Sequence, residues 1–237
     1  MKNIFFKMIV VAGFLALTVS PLWAGDALAD LFSQTRICYS QIAVSKGWET
    51  EIAVINPTNK KISGKFYFYD MQGGQLGSPY PVTLNPHGRW QAEVGKTFAN
   101  RGNIEYMVFK APTYGIKGYS KFYFAGIRAS IMASAPQTSG LFTKIDHEGW
   151  TGIAFVNTSA AEAHVILTAY DDSGNARAVV PLTVKAGEKI VKTAEKLFSS
   201  QSIAEATYIE FTSDQGIVGF FLNGSKGNLM LDGSKAL

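Results

Sequence analysis

The chain has 237 residues, of which 47% are hydrophobic and 13% aromatic, and this is enough for one large or two ordinary domains with buried cores. Its 22 basic and 18 acidic residues give a net charge of +4, and no run of lysine and arginine is longer than two residues. Nucleic-acid binding needs clustered positive charge, so this class of partner is excluded. The 16 phenylalanines and 10 tyrosines, beside few charged residues, favour β structure.

The first 29 residues are predicted to be a signal peptide. Two lysines precede an apolar stretch at residues 8–19, which is too short to span a bilayer comfortably. The small-x-small pattern predicts cleavage after Ala29, and Ala24 is a second candidate site. The alternative interpretation is an uncleaved membrane anchor.

No later window is apolar enough to span a membrane, so we expect a soluble mature protein that is exported to the bacterial periplasm or the extracellular space. Cys38 is the only cysteine, which excludes an intrachain disulfide. Because Cys38 lies in an alternating apolar stretch, we expect a buried, inert thiol rather than a reactive or intermolecular one.

An internal duplication organises the chain. Residues 47–56 and 149–157 both read as a strand that starts at a tryptophan and ends on an asparagine, and the two asparagines are 101 residues apart. A Tyr-Asp pair recurs at the same spacing before a polar turn. The structural repeat positions are Trp48, Asn56 and Asp70 in the first copy and Trp150, Asn157 and Asp171 in the second.

Each copy predicts seven or eight short strands with turn signals every eight to twelve residues, and no long helical period competes with them. This is typical of an antiparallel, immunoglobulin-like β-sandwich. We therefore predict an all-β protein of two tandem modules, residues 30–135 and 136–237, joined by a polar, breaker-rich linker at residues 134–140. Predicted strands cover residues 37–42, 50–56, 64–70, 82–84, 89–94, 104–110, 116–124, 128–133, 141–145, 165–171, 182–184, 208–211 and 216–219, with one or two helical turns at 193–198.

Side-chain alternation assigns faces within these strands. Phe66 and Phe68 should point to one face of their strand and Tyr67 and Tyr69 to the other. The repeated tryptophans at the strand starts are expected in the sandwich cores, and a pair of ligand-binding tryptophans is the alternative.

The motif Gly-Trp-x-x-x-Ile-Ala-x-x-Asn, followed by Tyr-Asp-x-x-Gly, a short Lys-x-Phe turn and Gly-Ile-x-Gly, resembles repeat modules of uncharacterised secreted bacterial proteins. The match is closer at residues 150–157, 169–174 and 217–224 than in the first copy, which departs from it at Pro57. The resemblance implies an exported, non-enzymatic β-sandwich module that often occurs in several copies. It carries no catalytic residue across.

Few residues suggest chemistry. His87, His147 and His164 show no metal-ligand spacing, and a solvated loop is the expected setting of His147 between Asp146 and Glu148. No nucleophile-elbow or phosphate-loop motif is present, although a triad could assemble from distant positions. The segment Asp171–Asn175 could hold calcium, but a plain turn explains it and is preferred. We therefore predict no cofactor and no metal.

Two exposed aromatic residues are candidate ligand contacts. If the copies are aligned on Gly88 and Gly187, Trp90 lies opposite Lys189, and if the later turn is aligned on Gly115 and Gly216, Tyr114 lies opposite Gln215. Both comparisons place the aromatic side chain at solvent. An alignment shifted by one residue would instead place Trp90 in the core.

These features favour an exported, non-catalytic protein that binds or assembles with an envelope or surface protein, with another copy of itself, or with a glycan. A second hypothesis is a periplasmic chaperone that lends a sheet edge to a client, with an elbow at the linker. A third is a hydrolase with a dispersed site around one of the three histidines.

Overall fold

The computed structural model describes residues 35–227 and 230–237, which belong to one compact unit. The predicted signal peptide and its cleavage sites lie outside the described residues. Within that part of the chain, no helix is long and apolar enough to cross a membrane.

The first sandwich contains eight antiparallel strands in two four-stranded sheets. Sheet A has the order β1-β6-β3-β4, and sheet B the order β5-β2-β7-β8. The strands are β1 (Thr35–Tyr39), β2 (Glu49–Ile55), β3 (Ile62–Tyr69), β4 (Tyr80–Leu84), β5 (Arg89–Glu93), β6 (Tyr106–Ala111), β7 (Lys117–Phe124) and β8 (Ile127–Met132).

The second sandwich contains seven strands, and its two sheets share one long strand. Sheet C pairs β12, β11, β14 and β9, and sheet D pairs β13, β10, β14 and β15. The strands are β9 (Gln137–Phe142), β10 (Trp150–Val156), β11 (Ala163–Tyr170), β12 (Ala176–Val184), β13 (Lys189–Thr193), β14 (Tyr208–Gly224) and β15 (Leu231–Lys235).

The strand order of the two sandwiches is the same. β9 to β13 take the places of β1 to β5, and β15 takes the place of β8. The 17-residue β14 takes the places of both β6 and β7. Its first part pairs with β11, as β6 pairs with β3, and its last part pairs with β10, as β7 pairs with β2. The predicted all-β fold of antiparallel sandwiches is confirmed, whereas the module boundary near residue 135 stays a prediction.

The segment expected to be a linker, residues 134–140, is largely paired. Ser134 exchanges two backbone hydrogen bonds with Cys38, and β9 begins at Gln137. Gly140 lies against the ring of Phe211, where a Cβ atom would come within 2.7 Å of it. The small residues that suggested a flexible linker therefore permit close packing, and residues 137–140 belong to β9.

Each sandwich has its own aromatic core. Phe66 and Phe68 are fully buried while Tyr67 and Tyr69 face outward, as the alternation predicts. In the second core, Phe142 and Phe155 pack with Phe211 at ring-centroid distances of 5.2–5.7 Å.

Two four-residue helices follow equivalent strands: α1 (Val94–Thr97) after β5 and α2 (Ala194–Leu197) after β13. The helical turn predicted at residues 193–198 is confirmed. The Thr193 side chain accepts a hydrogen bond from the backbone N–H of Lys196, which satisfies a free donor of the first turn.

The repeated asparagines hold equivalent turns. Asn157 is fully buried, and its amide nitrogen donates to the carbonyl oxygens of Ala161 and Val184 at 2.8 and 3.0 Å. Its side-chain oxygen accepts from the backbone N–H and the hydroxyl of Ser159. Asn56 makes the corresponding bonds in the first sandwich.

The outer face of sheet D, which points away from its own core, packs against the first sandwich. Val156 and Val218 form an apolar cluster there with Cys38, Tyr106 and Val108. A second cluster joins Phe220 and Ala154 to residues of β7 and β8. The interface between the sandwiches therefore buries two apolar clusters. Cys38 is a buried free cysteine, as expected.

A buried lysine crosses the same interface. Only 2% of Lys189 is exposed, and its Nζ donates to the side-chain oxygen of Gln41 at 3.0 Å and to the carbonyl oxygen of Glu105 at 2.8 Å. The Glu105 carboxylate lies 3.5 Å from Nζ. Burial lowers the pKa of Lys189 to about 8, although Glu105 opposes the shift.

We expect Asn157→Ala to destabilise the protein by about 2–4 kcal/mol, because it leaves buried backbone groups of the turn without a partner. Chemical denaturation gives the free energy of unfolding. Asn103→Ala, which removes an exposed amide bonded to one side chain, is the control and should change stability little. Equal effects of the two substitutions would contradict the role of Asn157.

We expect stability to rise by about 1 kcal/mol between pH 8 and 9 through Lys189. Its folded pKa lies below the unfolded value of 10.5, so the unfolded chain binds more protons in this range. The Cys38 thiol opposes part of this gain from about pH 8 upward, because burial raises its pKa from 9.0 to about 12 and the unfolded thiol therefore ionises first. Denaturation at both pH values should show the rise in the native protein and in Lys192→Met, but not in Lys189→Met.

Candidate functional site

A cavity of about 630 Å³ lies between the two sandwiches. Its walls are mainly aromatic and aliphatic, and none of the described residues that line it is charged. The residues that matter for its chemistry are Gln41, Trp48, Phe122, Phe124, Trp150 and Leu222.

Trp48 forms one wall with aromatic residues of β7. Its ring lies 6.1 Å from that of Phe122 and 5.6 Å from that of Phe124, centroid to centroid. The side chain of Phe124 is 40% exposed and packs over Gly47, where a Cβ atom would come within 2.7 Å of its ring. Gly47 has a φ of 85°, so glycine is required here both by backbone conformation and by the neighbouring ring.

Trp150 lines the cavity from the second sandwich. Its indole lies across Gly224, where a Cβ atom would be 2.1 Å from the ring, and it also contacts Gly152. Two glycines on neighbouring strands thus provide a flat backbone surface that carries the ring.

The repeated tryptophans are not equivalent in the sheets. In strand register, Glu49 is opposite Tyr123 and Trp150 is opposite Gly224, so Trp150 corresponds to Glu49 rather than to Trp48. A shift of one residue reverses the side-chain face. Trp48 therefore lies on the inner side of sheet B, with Phe122, whereas Trp150 lies on the outer side of sheet D.

Both tryptophans are half-buried, and neither belongs to the central cluster of its own sandwich. The expectation of a core position is therefore wrong for Trp150, whereas Trp48 packs against the buried cluster that contains Phe122. The outer face of sheet D packs against β7 and β8 of sheet B. The two tryptophan rings therefore line the same cavity between the sandwiches.

The polar contribution to the cavity comes from Gln41. Its side-chain oxygen accepts a hydrogen bond from Lys189, so the amide is fixed by the interface. The cavity can therefore accommodate an apolar or aromatic group without offering a charge to bind or a nucleophile to react.

Trp90, a predicted ligand contact, packs on the first core. Its ring lies 5.3 Å from that of Phe66, and Trp90 pairs with Val54 in the sheet. The equivalent pair in the second sandwich is Phe155 with Ile190. The alignment of Trp90 with Lys189 is therefore wrong by one residue, and the shifted alignment is the correct one.

Tyr114, the other predicted contact, lies in the loop between β6 and β7 and is 60% exposed. Neither Tyr114 nor Trp90 lines the cavity. Their role as ligand contacts stays a prediction.

The three histidines lie apart. The ring of His87 bonds Asn59 at 2.7 Å, the ring of His147 bonds the carbonyl oxygen of Ala206 at 2.7 Å, and His164 lies near Glu162. In the described part of the chain, no hydrogen bond joins any of them to a serine, and no group of three or more His, Cys, Asp or Glu could hold a metal. The structure thus does not assemble these histidines into the hydrolytic site considered above.

The Asp171 carboxylate is engaged within its own turn. It accepts hydrogen bonds from the backbone N–H groups of Ser173 and Asn175, and it pairs with Arg177. Bonds from Asn175, with those from Arg177 and Ser173, lower the pKa of Asp171 to about 2. Asp70 accepts corresponding backbone bonds in the first sandwich, which is the geometry of the turn interpretation.

The cavity residues of β7 and β14 were missed as site residues. One signal was present: residues 217–222 are apolar on both faces of the strand apart from Gly219, which is typical of a strand covered on both sides. The position of Phe124 at the end of β7 has no comparable signal.

No protein-family model matches this chain, and no curated protein matches it. Solved structures that are similar include a β-glucuronidase from glycoside hydrolase family 2, at 10% identity and a TM-score of 0.19, with 85% of this chain and 23% of that chain covered. A family 2 member from Bacteroides cellulosilyticus DSM 14838 has 9% identity and a TM-score of 0.21, with 85% and 27% covered. A Bacteroides uniformis β-glucuronidase has 12% identity and a TM-score of 0.19, with 85% and 25% covered.

The chain spans about a quarter of the length of these enzymes. TM-scores at this level carry no argument about function, so the functional proposal rests on the geometry of the cavity.

Proposed function

We propose that this protein is an exported, non-catalytic binding protein that takes an apolar or aromatic group of its ligand into the cavity between its two sandwiches. The observation that carries the proposal is the cavity of about 630 Å³ with a tryptophan from each half on its walls. Sites for small molecules are typically of this size, mostly apolar, and placed where two folded units meet.

The chemistry of the walls supports binding rather than catalysis. Trp48, Phe124 and Trp150 offer large apolar surfaces, and Gln41 offers an amide that can orient a ligand. A catalytic site would require a nucleophile, an acid or a base aimed at the bound group, whereas these walls hold no charged side chain within the described residues. Export is proposed from the sequence of the first 29 residues.

Binding by an open sheet edge, as in the chaperone hypothesis, has less support. The edge strand β12 is occupied at Val179, because the Gln201 amide donates to its carbonyl oxygen at 2.6 Å and accepts from its N–H at 3.0 Å. A client strand would have to displace both bonds.

The fluorescent probe 1-anilinonaphthalene-8-sulfonate tests the cavity, because its aromatic rings match the walls and the adjacent tryptophans can report its binding by energy transfer. We expect Phe124→Ala to weaken binding of the probe about tenfold or more, since it removes one apolar wall. Fluorescence titration gives the dissociation constant.

Ile166→Ala is the matched control. Ile166 is 44% exposed, similar to Phe124, and lies on sheet C away from the cavity. Its loss should leave the affinity within about twofold. Equal weakening by the two substitutions, or binding that Trp48→Ala does not reduce in a folded variant, would overturn the proposed site.

A further inference from the structure

The outer face of sheet B carries a row of alternating cations and tyrosines on one strand. Lys117, Tyr119, Lys121 and Tyr123 of β7 point to the same side, because every second residue of a strand shares a face. Successive members are about 7 Å apart along the strand. We call these four residues the Lys-Tyr row.

Two carboxylates fix the tyrosines of the row. The Tyr119 hydroxyl donates to Glu51 at 2.7 Å, and the Tyr123 hydroxyl donates to Glu93 at 2.7 Å. Lys121 also pairs with Glu51 at 3.3 Å. Both rings are therefore held in place on the sheet surface before any ligand arrives.

Two cations on this face are left unpaired. Lys117 at one end of the row and Arg128 beside Tyr123 are exposed, and within the described residues neither side chain has a hydrogen bond or an ion pair. Arg128 lines a shallow cleft of about 270 Å³ with Glu51, Lys121 and Tyr123. Glu51 is already paired with Lys121 and Arg89, and Glu93 with Lys96, so the positive charges of Lys117 and Arg128 are not neutralised by these carboxylates. A carboxylate paired in this way can still accept further hydrogen bonds.

The second sandwich shows what this face becomes when it is covered. In strand register the row corresponds to Val218, Phe220, Leu222 and Gly224, which lie against the first sandwich or under Trp150. A solvent-exposed sheet face needs polar side chains. Exposure does not explain why two tyrosines alternate with lysines on this face and are held by carboxylates, which points to a binding role.

We propose that the Lys-Tyr row and Arg128 bind an acidic polysaccharide along β7. Sugar rings pack on the faces of Tyr119 and Tyr123, the unpaired cations Lys117 and Arg128 bind carboxylates of the polymer, and Glu51 and Glu93 accept hydrogen bonds from its hydroxyl groups. This surface lies on the opposite face of β7 from the aromatic cavity, with Ile127 lining both the cavity and the cleft, and the proposal does not depend on the function proposed for the cavity.

The carboxylates favour a sugar polymer over other polyanions. A DNA strand carries almost no free hydroxyl groups that could donate hydrogen bonds to Glu51 and Glu93, and its charged groups are phosphates. A polysaccharide with one carboxylate on some or all of its sugars also presents many hydroxyl groups, which carboxylates bind well. A charged lipid surface offers few such hydroxyls.

The test is binding of the full protein to polygalacturonate, measured by affinity electrophoresis and calorimetry, with neutral dextran as the comparison. We expect binding to polygalacturonate only, weakened by added salt. Removing both free cations in Lys117→Ala/Arg128→Ala should weaken it about tenfold or more. Tyr123→Ala should weaken it as well, whereas Tyr123→Phe, which keeps the ring, should retain most of the affinity.

Lys60→Ala/Lys61→Ala is the matched control, because it removes two exposed charges from a turn between β2 and β3 and gives the same net charge. Thermal unfolding of every variant shows that it is folded. Equal loss of binding in the two double variants would overturn the proposal, as would equal binding of dextran and polygalacturonate or no binding at all. Tighter binding to single-stranded DNA or to anionic phospholipid vesicles would also overturn it, by assigning the face to another class of polyanion.

Discussion

Coverage of the outer face of sheet D by the first sandwich is the interaction on which the rest of the structure depends. Burial of Val156, Val218 and Phe220 removes apolar surface from water, and this is the main favourable contribution to such an interface. The buried Lys189 makes the interface specific, because its ammonium group needs the partners Gln41 and Glu105, which lie close to it in only one arrangement of the two sandwiches. The packing therefore has one register and fixes the geometry of everything built on it.

The duplication becomes asymmetric through this contact. A tyrosine pair is stacked in each half, Tyr69 with Tyr106 and Tyr170 with Tyr208, with centroids 4.8 and 5.3 Å apart. In the first half the Tyr106 hydroxyl donates to Gly187 of the second sandwich at 2.8 Å. Gly187 also touches Gly73, where little more than backbone can fit. One copy of the stack is thus part of the interface, and equivalent faces of equivalent sheets acquire different chemistry.

The same asymmetry separates the two candidate binding surfaces. Packing of sheet D on the end of sheet B creates the aromatic cavity, since each sandwich supplies only one wall. Within residues 35–227 and 230–237 no strand covers the outer face of sheet B in this way, and Tyr119 and Lys121 lie there at the positions of Phe220 and Leu222 in the second sandwich. Both candidate binding surfaces therefore result from the packing of the outer face of sheet D, and not that of sheet B, against the other sandwich.

By itself the sequence determined the all-β class, most strand positions, the turns held by Asn56 and Asn157, and the inward direction of Phe66 and Phe68, because these depend on local alternation and turn chemistry. Tertiary structure alone decided where the tryptophans lie. Trp48 and Trp150 align as a motif, yet they differ by one residue in strand register, and a shift of one residue reverses the face of a strand. That Trp90 packs in the core, and that residues 137–140 form a strand, also depended on partners distant in the chain, which local pattern does not specify.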